Sequence, residues 1–364
     1  ANERFGFGMM RVRLNILFLI GLFGVFSCKK DKTPFPFEPP YNDLAHGWYT
    51  EDCSDSWPEH WVDSFNLNSY YVDDHVVFKV PQFNPSNPDE IVYYHINYPE
   101  NKRQLVKYNI KTTEKTVLTD GMTVIGEPSW GSSGWIAFAS TPSYQIFLVK
   151  DNGAETQQLT IENPNISPSY SADGKTIYFS SEPILGNLRN LIKQSLITDQ
   201  IDTIIHMSDP TLYHISRNRK VSRQDFILVG ATIENNGHYA YLSSNSSDFG
   251  LLPIIDYSNN GLDYTDHFCW SHDSQHIYLA YYATGDIYRV AVATGEIEQI
   301  RSDCFGRWLH SIDASPDGKY LVVEKVDLRF TILPDGWASS AVRMRSHVTL
   351  IDLQTGQMKD LDLE

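Results

Sequence analysis

The most informative segment of the chain is residues 168–181, Pro-Ser-Tyr-Ser-Ala-Asp-Gly-Lys-Thr-Ile-Tyr-Phe-Ser-Ser. Its central Asp-Gly pair predicts a tight turn, because the aspartate side chain can accept backbone N–H bonds and glycine adopts a positive φ without steric cost. The alternating residues that follow predict a β-strand. We therefore expect two antiparallel strands joined by a turn, in which Asp173 and Gly174 are structural rather than catalytic.

The same pattern recurs along the chain. Residues 312–324, Ile-Asp-Ala-Ser-Pro-Asp-Gly-Lys-Tyr-Leu-Val-Val-Glu, form a second close copy and assign Asp317 and Gly318 to an equivalent turn. Weaker copies occupy residues 83–94, 128–139 and 268–280. The long gap between the copies at Tyr170 and Trp270 has room for one more, with strands predicted at 225–232 and 237–242. The sequence thus contains six repeats.

Each repeat also ends in the same way. A further alternating strand leads through a glycine turn, such as Asp151-Asn-Gly or Ala293-Thr-Gly, into a short edge strand. Two strands joined in this manner are a β-hairpin. Six repeats of four antiparallel strands predict an all-β fold, a six-bladed β-propeller of four-stranded antiparallel blades over residues 73–364.

The amino-acid composition is typical of a strand-rich protein and argues against one class of partner, nucleic acid. Aromatic residues make up 13% of the chain, and such residues favour strands. The 45 acidic and 29 basic side chains give a net charge of −16. Because nucleic-acid binding needs a basic face, we expect no nucleic-acid partner.

The first 72 residues are predicted to contain a secretion signal and a tether for the propeller. Two arginines followed by an apolar run up to Ser27 are typical of a secretory signal, so residues 1–27 are assigned to upstream residues and a signal peptide. Residues 28–40 are charged and then proline-rich, as in an extended tether. Residues 41–72 form an aromatic-rich lead-in or cap. Removing the signal, whose net charge is +2, changes −16 to −18.

Two family resemblances follow from these segments. Val25-Phe-Ser-Cys28 resembles the lipobox of bacterial lipoproteins, which implies lipidation of Cys28, and the lysine-rich stretch after it is similar to lipoproteins of the Bacteroidota. The Ser-Ala-Asp-Gly-Lys and Ser-Pro-Asp-Gly-Lys repeats resemble the WD-repeat-like propeller repeats of the TolB family, which implies a six-bladed propeller. Similar repeats occur in envelope scaffolds, in prolyl-oligopeptidase-like peptidases and in oligogalacturonate lyases, so the motif specifies architecture more than function.

The motifs favour a binding protein over an enzyme. The sequence has no Gly-x-Ser-x-Gly nucleophile elbow, no phosphate-binding glycine loop, no His-Glu-x-x-His and no Cys-x-x-Cys. Six blades leave no length for a hydrolase domain. We therefore assign no catalytic residue and expect no cofactor.

One alternative is a metal site in the channel. His214, His267 and His310 fall where three neighbouring inner strands begin, and imidazoles converging there could bind a divalent ion such as Mn²⁺ or Ca²⁺. Resemblance to the lyases implies a His-rich Mn²⁺ site. Against this, His267 and His310 differ by one residue in their spacing to the turn, which would point them to different faces.

Other candidate contacts lie outside the repeats or between them. Trp48, Trp57 and Trp61 either stack on a sugar or partner or pack as a cap. Arg217 and Arg219, in a basic run with Lys220 and Arg223, form either a docking spot for an acidic partner or a solvated loop. Among the remaining cysteines, Cys269 is expected to be a buried free thiol, and Cys53 and Cys304 are the candidate disulfide pair.

Taken together, the sequence predicts a lipoprotein of a bacterial cell envelope, lipid-anchored to the outer membrane through Cys28 and facing the periplasm or the surface. Its propeller is expected to act as a non-catalytic scaffold for an envelope protein. The alternative is a carbohydrate-active enzyme similar to oligogalacturonate lyases, although the net charge of −18 argues against an acidic sugar.

Overall fold

The computed structural model describes residues 76–97, 100, 102–181, 190–205, 212–215, 220–233, 236–243, 252–256, 265, 267–281, 285–301, 307–329 and 343–363. These residues all belong to one compact unit, residues 43–364. Several residues that the sequence singled out lie outside the described residues: Cys28, Trp48, Cys53, Trp57, Trp61, Arg217, Arg219 and Cys304.

The described residues form six antiparallel sheets, each built from consecutive strands. The first three sheets contain β1 (Val76–Asn84), β2 (Asn87–Asn97), β3 (Lys102–Asn109), β4 (Lys115–Val117); β5 (Thr123–Trp130), β6 (Trp135–Thr141), β7 (Gln145–Lys150), β8 (Thr156–Gln158); and β9 (Asn165–Tyr170), β10 (Thr176–Ser181), β11 (Asn190–Ser195), β12 (Ile201–Ile205).

The last three sheets contain β13 (Leu212–Ile215), β14 (Lys220–Val221), β15 (Phe226–Ile233), β16 (Asn236–Ser243), β17 (Leu252–Asp256); β18 (Phe268–Trp270), β19 (His276–Ala280), β20 (Ile287–Ala291), β21 (Ile297–Arg301); and β22 (Arg307–Ala314), β23 (Tyr320–Arg329), β24 (Arg343–Asp352), β25 (Met358–Asp360). No helix occurs among these elements, so none of the described residues lies in a helix long and apolar enough to cross a membrane.

The inner strands β1, β5, β9, β14, β18 and β22 contact one another in succession around a ring, which confirms the predicted all-β propeller. Five of the six sheets are regular four-stranded blades. The fourth departs from the expected pattern because its inner edge consists of two short strands, β13 and β14, that both pair with β15.

The ring closes by packing of the last sheet on the first. Phe78 and Tyr93 share one apolar cluster with Val322 and Leu350. The backbone N–H of Phe78 also donates to Ser346 Oγ at 2.9 Å. Since β25 completes the last sheet from the C-terminal residues, no strand is shared between first and last sheets in the described part of the chain.

Apolar clusters of the same kind lie between most neighbouring sheets. The six largest fully buried side chains of the described residues are all aromatic, and include Tyr93, Tyr178 and Phe268. Each such ring removes a large apolar area from water, which is the main stabilising contribution to a core. The abundant aromatic residues of the described chain therefore serve to pack blades together.

Hydrogen bonds close the Ser-x-Asp-Gly turn of the third sheet. Ser171 Oγ donates to Asp173 Oδ1 at 2.8 Å, and the same carboxylate oxygen accepts the Lys175 N–H at 3.0 Å. Ser171 Oγ in turn accepts the Thr176 N–H at 3.0 Å. The bonds from Lys175 and Ser171 hold the pKa of Asp173 below its usual value. Gly174 has a φ of 69°, in the left-handed region.

The turn of the sixth sheet repeats this arrangement. Ser315 Oγ donates to Asp317 Oδ1 at 2.7 Å and accepts the Tyr320 N–H at 2.9 Å, while Gly318 has a φ of 71°. In both turns the aspartate is engaged by its own loop, so its carboxylate acts in holding adjacent strands in register.

Candidate binding site at the channel mouth

A cavity of about 410 Å³ lies at the end of the central channel where these turns converge. Every sheet contributes to its lining, and one residue from each sheet in order is Phe83, Trp130, Tyr170, Lys220, Trp270 and Asp313. Each is one of the last two residues of an inner strand, so an aromatic residue or a polar group lies just before the turn. Each of the six sheets therefore contributes an equivalent part of the cavity wall.

Hydrogen bonds between neighbouring sheets hold this wall. Tyr170 N–H donates to Ser129 Oγ at 3.0 Å, and Val221 N–H donates to Ser169 Oγ at 3.2 Å. Trp270 Nε1–H donates to the carbonyl oxygen of Lys220 at 3.0 Å. Because these bonds join different blades, the mouth is a rigid surface rather than a set of independent loops.

The base of the cavity carries a compensated charge cluster. Lys220 Nζ lies 3.0 Å from Glu127 Oε2, and their side chains are 12% and 10% exposed. Burial disfavours the charge of Lys220, but the carboxyl groups of Glu127 and Asp313 outweigh this effect and raise its pKa. Burial also raises the pKa of Asp313, whose Oδ2 accepts the Phe83 N–H at 2.9 Å.

Cys269 lies beside this cluster and is buried and not disulfide-bonded. Burial raises the pKa of its thiol well above the usual value, and Asp313 adds to the effect. A protonated buried thiol is a small apolar group rather than a nucleophile. The sequence expectation of a buried free thiol therefore matches its position.

His267 and His310 lie together farther along the channel, with ring centroids 5.1 Å apart. His267 Nδ1 accepts the Ser311 N–H at 3.1 Å. Burial, followed by the charges of His267 and Lys79, lowers the pKa of His310 to about 3. The imidazole of His310 is therefore neutral at physiological pH.

The expectation that these two histidines face different ways is wrong, and a β-bulge is the reason. His310 stands one residue farther from its turn than His267 does from its own. The register of β22 shifts between His310 and Ile312, and Ser311 there has a φ of 40°. A bulge of this kind inserts one extra residue into the strand, so the side chain of His310 lies on the face opposite to the one that strict alternation predicts.

A buried acid, Glu324, lies on β23 opposite His310. Glu324 Oε2 accepts the Val80 N–H at 3.3 Å, and burial raises the pKa of this carboxyl to about 7 despite the nearby Lys79. Among the described side chains no group of three or more His, Cys, Asp or Glu is placed to hold a metal ion. His214 is described only by its backbone, which pairs with Thr232.

Two important residues of the site, Glu127 and Asp313, are not singled out by any sequence pattern. Lys220 and Arg223 belong to the basic run for which the sequence leaves open a docking spot or a solvated loop, and Lys220, at 12% exposed, is not in a solvated loop. Lys220 pairs with Glu127, more than 90 positions away, so no local pattern could reveal it. The available signal was the position of Asp313 just before the Ser-Pro-Asp-Gly turn.

The fold and the channel define a β-propeller, and TolB-like propellers are among its structural neighbours. TolB from Acinetobacter baumannii aligns with a TM-score of 0.53 and 13% identity, over 79% of this chain and 64% of that one. The S511A mutant of puromycin hydrolase aligns with a TM-score of 0.51 and 9% identity, over 84% and 56%. The chain thus spans less than two thirds of either protein, and at these identities the likeness shows the fold alone.

An oligogalacturonate lyase in complex with manganese aligns with a TM-score of 0.48 and 10% identity, over 78% of this chain and 76% of that one. A scan against protein-family models finds no match, and neither does a search of curated proteins.

Proposed function

We propose that this chain is a lipoprotein of a bacterial cell envelope whose propeller docks a protein partner at the channel mouth without performing catalysis. The observation that carries the proposal is the cavity at the mouth, whose rigid wall is supplied by turns from all six sheets. A preformed concave surface costs little conformational entropy to bind, which suits a docking site.

The charged groups of the cavity favour docking over catalysis. Lys220 is engaged by Glu127, and Asp313 accepts a backbone N–H bond from Phe83. A general acid or base must instead present its proton to a substrate. These contacts give both groups a role in holding the mouth, which agrees with a structural rather than a chemical use.

The cellular location is proposed from residues 10–28. Their charged start, apolar run and final cysteine support cleavage before Cys28, lipidation of its thiol and anchoring to the outer membrane. We expect Cys28→Ser to move the protein from the membrane fraction to the soluble fraction and to abolish incorporation of labelled palmitate. A Cys28→Ser protein that is still labelled would contradict the anchor.

Docking is tested by affinity purification of the full-length protein from native membranes. Ala172 is exposed and lines the cavity, whereas Ala154 is exposed in a turn outside the lining. A partner should co-purify with the wild type and with Ala154→Trp, and be lost with Ala172→Trp. Equal recovery with both variants, at unchanged thermal stability, would show that the mouth is not the docking site.

A second candidate is a carbohydrate-active enzyme with a metal in the channel, and one observation favours it. His267 and His310 lie side by side, as two ligands of one ion would. Metal content of the purified protein, with and without His267→Ala, tests the site, and turnover of oligogalacturonate with added Mn²⁺ tests the activity. A protein that neither binds Mn²⁺ nor cleaves oligogalacturonate would rule this candidate out.

A further inference from the structure

Arg223 spans the mouth of the channel. It lies in the turn between β14 and β15 of the fourth sheet, and its exposed side chain reaches turns of two other sheets. Its Nη2 donates to the carbonyl oxygen of Pro316 at 3.0 Å and to that of Pro85 at 3.3 Å. The guanidinium group therefore links the fourth sheet to the sixth and the first across the rim of the cavity.

Both acceptors of this guanidinium are uncharged. Arginine binds a carboxylate through two parallel charge-assisted bonds, which are roughly twice as strong as bonds to neutral oxygens. Among the described residues, no acceptor is assigned to the other nitrogens of Arg223. A carboxylate entering the mouth can thus engage Arg223 more strongly than the two carbonyl groups do.

Arg223 also supplies an exposed positive charge to the described lining of the cavity, whereas Lys220 is only 12% exposed. The other titratable residues of the lining are Tyr170, Lys220, His272 and Asp313. Lys220 is balanced by Glu127 beneath it, and Asp313 is one of the groups that face Lys220. Although the net charge of the chain is −16, an anion that approaches this rim comes into contact with the cationic side chain of Arg223.

The shape of the cavity selects the end of a chain. Turns of all six sheets surround it, and its volume of about 410 Å³ is that of a small-ligand pocket. A folded surface cannot enter such a space, whereas an extended segment can enter end first. If the leading end is a C-terminus, its carboxylate passes Arg223 at the rim.

We propose that Arg223 recognises the C-terminal carboxylate of a protein partner, exchanging the carbonyl oxygens of Pro85 and Pro316 for carboxylate oxygens. This inference rests on the docking function proposed above and names its recognition chemistry.

The test uses the full-length protein and an array of random-sequence hexapeptides made in two forms, with a free C-terminal carboxylate and with a C-terminal amide. Trigalacturonate serves as a carbohydrate probe. Arg289→Gln is the matched control for Arg223→Gln, because Arg289 pairs with Glu298 outside the cavity lining. We expect the free-acid peptides to bind about tenfold more tightly than their amides, a preference that Arg223→Gln abolishes and Arg289→Gln leaves intact.

The outcomes separate this inference from the docking function. Peptides that bind equally as acids and amides, but are lost with Ala172→Trp, leave docking intact and overturn the role of Arg223. Peptide binding that survives Ala172→Trp overturns docking at the mouth and the inference with it. Binding of trigalacturonate alone, or of no probe, overturns both.

Discussion

Removal of the buried ammonium of Lys220 is expected to destabilise the propeller more than any single change at an exposed ion pair. Lys220→Met keeps most of the side-chain volume but removes the charge that faces Glu127 and Asp313. The two carboxyl groups would then share a region of low dielectric without this cation, and each would resist ionisation.

The size of this destabilisation depends on how deeply the ion pair is buried rather than on the distance between its charged atoms. Lys220 and Glu127 are 3.0 Å apart and at most 12% exposed, and breaking such a pair costs about 3–5 kcal/mol. Lys102 and Glu100 are closer, at 2.7 Å, yet more than half exposed, so water screens their attraction and the pair adds little to stability. Lys220→Met should therefore destabilise the protein by about 3–5 kcal/mol, clearly more than Lys102→Met does.

Urea unfolding at pH 7, followed by tryptophan fluorescence, measures both variants. Glu127→Gln should cost less than Lys220→Met, because Asp313 stays close to the ammonium. The double variant Lys220→Met/Glu127→Gln should be more stable than the sum of the single effects predicts, since it leaves one fewer uncompensated carboxylate. Equal costs for Lys220→Met and Lys102→Met, or strict additivity in the double variant, would refute this account of the cluster.

Three further predictions use the same urea measurement. Gly295 and Gly356 both have a φ of 70°, but a Cβ at Gly295 would lie 3.0 Å from the carbonyl oxygen of Ile254, whereas one at Gly356 would meet nothing within 4 Å. Each change to alanine should cost about 1 kcal/mol in backbone strain, with roughly 1 kcal/mol more at Gly295. Equal costs at the two positions would contradict the close contact at Gly295. Burial raises the pKa of Glu324 from 4.5 to about 7, so the folded state binds this proton more tightly and stability should fall as pH rises from about 4.5 to 7, a fall that Glu324→Gln should remove. Burial lowers the pKa of His310 from 6.5 to about 3, so stability should fall as pH drops below 6.5 towards 3. If His310→Gln loses the same stability over this pH range, His310 is not the group responsible.

The fold was predictable because its signal is local. The bonds of Ser171 and Asp173 lie within one turn of a few residues, so a short sequence pattern contains everything that the turn requires. The split inner edge of the fourth sheet was not predictable in the same way. Its two strands, β13 and β14, pair separately with β15, and the sequence there has no close copy of the repeat.

The channel was harder to predict because its contacts join residues distant in sequence. The alternation rule placed His267 and His310 on different faces, and a single bulge at Ser311 reversed that result. Strand alternation predicts facing only while the register is unbroken. Likewise Arg223 reaches Pro85 and Pro316 in other blades, a relation that exists only once the ring has closed.

The net charge of the chain says less about the ligand than the local arrangement of charges at the mouth does. The net charge of −18 without the signal argues against an acidic sugar, but charges separated by more than about 8 Å are largely screened at physiological salt. Acidic side chains on outer strands therefore contribute little potential at the channel mouth, where Arg223 lies on the rim and the buried Lys220 is already balanced by Glu127. An anionic segment responds to this local arrangement when it docks. The overall negative charge instead slows its approach, so binding of a carboxylate peptide should become faster as ionic strength rises, while a purely attractive field would make it slower.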